Sequence, residues 1–224
     1  MTKRSQKKRC AYCNLRVAAS VDHVPPRNMF PSPRPKDLIT VPACTECNNI
    51  FAKDEEYFIA SMMFTQAGGS DVGKQLWRQR LDRMYSKNLG VRRRMARTLR
   101  RKSFYTPGGL YLGKHFVQEP DFGRWDRIVE KIVRGLYYFE YGSSLLPDTN
   151  VETIFISTDE RYKVIVEKNI NFLNPGKKGW RGIFRYKCSE VSVNPRNSMW
   201  GLLFYETLIF WAVTGVHVIE RGAG

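Results

Sequence analysis

The chain has 224 residues, 37 of them Lys or Arg against 21 Asp or Glu, which gives a formal net charge of +16. That length suffices for one sizeable core, or for a small site-bearing domain fused to a second of ordinary size, with two lobes sharing one body as the expectation. The charge argues against basic partners and for polyanions, with nucleic acid first and an anionic membrane surface second.

Lys3, Arg4, Lys7, Lys8 and Arg9 open the chain with no apolar stretch behind them, so residues 1–9 read as a basic, disordered tail rather than a secretory signal. A reducing, cytoplasmic setting follows. Cys10-Ala-Tyr-Cys13 and Cys44-Thr-Glu-Cys47 then form two Cys-x-x-Cys knuckles with 30 residues between them. Two such knuckles complete a tetrahedron of thiolates, and a full shell with no place for water marks a structural zinc rather than a catalytic one. Disulfides or a redox dithiol are the alternatives, and a cytosolic chain disfavours both.

Between the knuckles, Val17, Ala19 and Val21 alternate as in a strand that ends on Asp22 and His23, where Pro25 and Pro26 stop it. Neighbouring strand residues point to opposite faces, so a bend at these prolines is expected if Asp22 and His23 are to reach one phosphate. Six of the 11 prolines fall between Pro25 and Pro42, and Leu38 to Val41 reads as the returning strand. After Cys47, Asn48 and Asn49 lead into helical spacing through Phe51, Glu55, Phe58 and Ile59. Asp54, Glu55 and Glu56 stand in the first turns of that helix, where the dipole favours negative charge without a second metal.

These residues, Cys-x-x-Cys, Asp22-His23-Val24-Pro25-Pro26 and Leu38 through Asn49, resemble the zinc-bound branch of the HNH (ββα-metal) endonuclease family over residues 10 to about 60. The resemblance implies a β-hairpin and helix around one divalent cation. Asp22 and Asn48 would hold magnesium or manganese, with Asn49 the alternative to Asn48, and His23 would be the general base. The family's middle Asn falls near Asp37, a departure, because an ionised Asp accepts hydrogen bonds but cannot donate them. The chemistry agrees with the assignment: an imidazole suits a base near neutral pH, and a cation can offset charge on a scissile phosphate.

Further along, Val72, Leu76, Trp77, Leu81, Met84 and Tyr85 predict a helix over 71–87 with Lys74, Arg78, Arg80 and Arg83 on its basic face. Residues 91–102 are read as helical and almost wholly cationic, with Arg92, Arg93, Arg94, Arg97, Arg100 and Arg101 placed, together with Arg27, as phosphate contacts that position rather than specify. A turn at Pro107-Gly108-Gly109, a strand over 110–117, a helix over 122–141 and a helix over 160–168 come next. Residues 151–157, 182–189 and 200 onward have the β-branched and aromatic content of an antiparallel sheet. Residues 198–219 are apolar enough to suggest a membrane span, but Glu206 in their middle would cost about 2.5 to 3.5 kcal/mol at bilayer depth, so they read as two buried strands. Cys188, His115 and His217 fall in strands and read as structural.

The expectation is therefore an α+β chain. It comprises the tail (1–9), a zinc-clamped nuclease module (10–65), a basic helical segment (66–102) and an α+β region without a catalytic motif (103–224). Its expected function is metal-dependent endonucleolytic hydrolysis of DNA, and the family resemblance suggests phage defence or a mobile element. DNA is the expected partner, no membrane is, and a homodimer or a defence-complex subunit is left open. The rivals are a zinc-stabilised nucleic-acid-binding protein without catalysis, an RNA-cleaving enzyme, and an assembly subunit using the aromatics around Trp200.

Overall fold

Segments that alternate apolar and polar residues pair as strands, and those with 3.6-residue periodicity coil, giving an α+β protein whose sheets are all antiparallel. The computed structural model describes residues 8–156, 164, 166, 168–190, 194 and 196–215. Residues 1–7 of the expected tail, His217 and most of the helix expected over 160–168 lie outside them, while Arg9, expected in the tail, forms an antiparallel bridge with Val17.

Strand β1 (Ser20–His23) pairs with β2 (Thr40–Ala43), and α1 (Thr45–Ile50) and α2 (Ala52–Met62) follow, so the strand, strand, helix order is present. Cys44 caps α1: its sulfur accepts the Cys47 amide at 3.4 Å. The predicted 71–87 helix is built as α4 (Asp71–Leu76), a wider π-helical turn over Trp77–Leu81, and α5 (Asp82–Lys87), with the short α3 (Gln66–Gly69) before it.

The basic segment departs from expectation. Helix α6 (Leu89–Thr98) stops at Thr98, and β3 (Leu99–Tyr105) pairs with β4 (Tyr111–Gln118) in a separate two-stranded ribbon. Arg100, Arg101 and Lys102 are thus strand residues. A continued helix would stack Arg97, Arg100 and Arg101 at three- and four-residue steps on one face, whereas a strand sends neighbouring cations to opposite faces.

Helix α7 (Phe122–Tyr141) matches its predicted span, capped by Asp121 at its start and by Gly142 at φ +72° at its end. Beyond it, β5 (Asn150–Ile156), β6 (Asn174–Pro175), β7 (Phe184–Glu190), β8 (Ser198–Phe204) and β9 (Leu208–Gly215) form one sheet in the order β5-β9-β8-β7-β6. The two strands expected from the apolar 198–219 segment are β8 and β9. Glu206 sits in their connecting turn and pairs with Arg185. Among the described residues no helix is long and apolar enough to cross a membrane.

Among the described residues one large buried cluster spans both expected lobes, with a small second one at Val166, Leu173 and Trp211. The large cluster runs from Cys10 and Val24 through Phe58 and Trp125 to Phe204 and Phe210. The amphipathic α7 is its axis: Trp125 packs on Phe58, Phe155 and Phe210 and donates to Ser61 at 2.7 Å. Gly135 lets α7 approach the loop after His23, since a Cβ there would come within 2.5 Å of Val24 Cγ2. From the other end of the chain, the buried Tyr205 hydroxyl donates to Met29 O at 3.1 Å, and Trp180 meets Phe30 edge-on at 5.0 Å.

Candidate metal centre and histidine pocket

The first knuckle is a turn in which Asn14 takes φ +50° and its amide bonds back to Cys10 O; the second lies at the start of α1. Together they bring the sulfurs of Cys10, Cys13, Cys44 and Cys47 within 4.8 Å of one another. Four thiolates around zinc at about 2.3 Å would stand roughly 3.8 Å apart, so the set fits a metal ion of that kind. The backbone of Arg16 and Leu15 holds the Cys13 thiol down to about 7 against the opposing effect of burial. The Cys47 thiol is pushed up by burial and by the crowding of its neighbours, a repulsion that a bound cation relieves. Cys188 is buried in β7, as expected.

Asp22 and His23 do lie at the end of β1, but the strand persists through His23, which pairs with Thr40, and no bend brings the two side chains together. Asp22 shares a face with Ser20, and Asn48 joins that face by donating to Ser20 Oγ at 3.1 Å. His23 points to the other face.

Both oxygens of the Asp22 carboxylate are engaged. Its Oδ1 accepts the His23 amide at 2.8 Å, and its Oδ2 accepts the Tyr12 hydroxyl at 2.8 Å and the Lys131 ammonium at 2.6 Å. Lys131 comes from α7, is 2% exposed, also bonds Glu55, and lies 5.4 Å from the ring centres of Tyr12 and Phe51. Burial and then the Asp22 charge hold the Tyr12 phenol protonated, well above its ordinary range, so it remains a donor. Burial raises Glu55, partly offset by Lys131. An ammonium thus stands against the carboxylate that the resemblance assigns to a hard cation. As arranged here, Asp22 and Asn48 do not fit an open magnesium or manganese site.

The acids of α2 are accordingly docking groups. Asp54 pairs with Arg124 and Arg127 at 3.2 and 2.8 Å, Glu55 with Lys131, and Glu56 with Arg94 at 3.6 Å. Opposing cations on α6 and α7 explain this acid row better than the helix dipole alone. Asp37 is taken by Lys178 at 2.8 Å and does not brace the loop as the family's Asn would.

His23 lines an open cavity of about 450 Å³ with Arg27, Arg34, Pro35, Lys36, Leu38 and Thr40. Burial lowers its pKa, with Arg27 and Arg34 pushing the same way against Asp22, so the imidazole is neutral near pH 7. Arg34 and Arg80 line an adjoining hollow, and Arg80 is itself lowered, first by burial and then by Arg34. Among the described residues none of Arg27, Arg34, Lys36 and Arg80 forms an ion pair, and the buried Arg34 Nε has no hydrogen-bond acceptor. Arg27 was legible as a cation beside the site. Arg34 and Lys36 were hidden in a proline-rich stretch read only for its stiffness.

Of the predicted phosphate contacts on α6, Arg92, Arg93 and Arg97 are exposed, whereas Arg94 is turned inward to Glu56. Arg100 pairs with Glu119 at 3.6 Å, and Arg101 is exposed. No family model matches the chain, and neither does any curated protein or solved structure.

Proposed function

We propose that this chain cleaves phosphodiester bonds in nucleic acid as an HNH-like endonuclease, with DNA as the first substrate to test and His23 as the general base. The observation that carries the reading is the placement of His23 in a pocket walled by Arg27, Arg34 and Lys36, with no carboxylate among the described lining residues; burial also lowers the His23 pKa, which favours the neutral imidazole. Such a pocket suits a phosphate. The guanidinium groups receive its nonbridging oxygens, Arg34 in bidentate fashion, and offset the charge that grows in the transition state. The imidazole takes the proton of the attacking water, or of a 2′-hydroxyl where RNA is presented, as that oxygen bonds to phosphorus; the bond from phosphorus to the departing oxygen breaks, and that oxygen takes a proton from solvent. The four-cysteine centre holds β1, β2 and α1 together and does no chemistry.

A second reading, a zinc-braced nucleic-acid-binding protein without catalysis, is favoured by one feature: Lys131 takes up the carboxylate on which a hard metal ion would rest. Nicking of supercoiled plasmid separates the two. Zinc-loaded protein and a folded His23→Ala variant are compared with magnesium, with manganese and with EDTA. Nicking by wild type but not by the variant supports cleavage at His23, and the EDTA arm reports whether a metal is needed. Binding without nicking in every arm selects the second reading.

A further inference from the structure

The β3–β4 ribbon has two unlike faces. Cross-strand partners share a face, so Arg101 lies with Phe116, Ser103 with Lys114 and Tyr105 with Tyr111, whereas Arg100, Lys102 and Phe104 lie on the opposite side. A bulge where Gly113 takes φ +104° returns Tyr111 to the first face, and the Tyr105 and Tyr111 rings meet there at 5.3 Å. On the second face Arg100 and Lys102 are neutralised by Glu119, at 3.6 and 2.6 Å, and Phe104 packs on His115. On the first, among the described residues, Arg101 and Lys114 have no ion pair, and Phe116, Tyr105 and Tyr111 are 72%, 60% and 51% exposed.

We infer that the first face of this ribbon binds single-stranded nucleic acid, with bases stacked on Phe116 and on the Tyr105/Tyr111 pair and phosphates held by Arg101 and Lys114. Alternating cations and bare rings on one strip are the makings of a stacking platform with an electrostatic track, and every base offers a face to stack whatever the sequence. Same-face neighbours on a strand stand about 7 Å apart, within the reach of one nucleotide from ring to cation. A face built only for solubility would not strand three large rings in water on a ribbon that, among the described residues, joins no other sheet.

The inference rests on the nucleic-acid reading of the chain but not on catalysis by His23. Fluorescence anisotropy of zinc-loaded, full-length protein with a labelled thymidine oligonucleotide, and with a duplex of equal length, tests it. Phe116→Leu and Tyr105→Leu should each weaken single-strand binding at least about fivefold while duplex binding stays within twofold. Arg101→Gln with Lys114→Gln should lower the salt slope for the single strand by about 1.4, at roughly 0.7 per phosphate contact. Phe104→Leu and Lys102→Gln, on the other face, should change neither. Matching circular dichroism melts establish that the variants fold. Unchanged single-strand affinity in the first-face variants, equal losses from the two faces, or loss of binding to phosphatidylserine vesicles alone would overturn the inference while leaving the His23 pocket untouched. If wild type binds neither strand nor duplex, the nucleic-acid reading falls with it.

Discussion

Replacing Lys131 with Met removes the ammonium from between Asp22 and Glu55 while keeping a side chain of similar length. Lys131 is 2% exposed, and Asp22 and Glu55 are 12% and 18% exposed, so the two carboxylates are left facing each other largely out of water. Breaking a buried ion pair from one side costs about 3 to 5 kcal/mol. At roughly 2 to 4 °C per kcal/mol for a chain of this size, the melting temperature should fall by about 6 to 20 °C. The loss should depend on pH with a definite sign. Burial raises Glu55 above its ordinary value, and without Lys131 to oppose it the group takes up a proton more readily when folded. A raised acid binds more protons in the folded state, so the variant's stability declines as pH rises from the unfolded carboxylate range through the raised value. Urea unfolding followed by tryptophan fluorescence at pH 5 and pH 8, on zinc-loaded protein, measures both effects. A loss below about 1 kcal/mol, or one equal at the two pH values, would refute the view that Lys131 neutralises this cluster. Manganese that restores the variant but leaves wild type unchanged would show the carboxylates ready to take a metal ion once the ammonium is gone.

Four shorter expectations accompany it. Chelation of the four-cysteine centre should destabilise the whole chain, read as a single unfolding transition that moves down with release of one zinc per chain. The lowered pKa of His23 means the folded state binds fewer protons there, so its contribution to stability improves as pH rises from that value toward about 6.5. If His23 is the base, the acid limb of the cleavage rate profile should also bend below pH 6.5. Arg34→Gln should weaken duplex binding and lower its salt slope by about 0.9, measured by anisotropy across a salt series. Gly135→Ala forces a methyl group onto Val24, one residue from His23, and should cost about 1 to 3 kcal/mol of stability by denaturant unfolding.

Local chemistry made much of this legible. Cysteines paired across two intervening residues, a capped helix and period-two runs are short-range signals, and the four-cysteine cluster, α7 and β7 to β9 follow them closely. What depended on distant partners did not show. Nothing near Asp22 in the chain announces Lys131, which arrives from a helix more than a hundred residues later, and its basic charge resembles that of any solvated cation. The run ending in Arg100 and Arg101 has helical composition, but its fate was decided by pairing with β4 across the turn. Arg34 and Lys36 belong to a stretch whose prolines mask its charge, and their meeting with His23 arises from how the loop folds back.

The position of α7 in the core also bears on how the protein is made. All four cysteines lie within the first 47 residues, so they clear the ribosome, and metal capture can order the first hairpin, while much of the chain is still unsynthesised. Tyr57, Phe58 and Met62, however, find their cover only when residues 122–141 and the strands beyond them arrive. A newborn chain therefore carries a four-cysteine head with an open apolar flank until the later strands are made. During that interval a chaperone has something to shield.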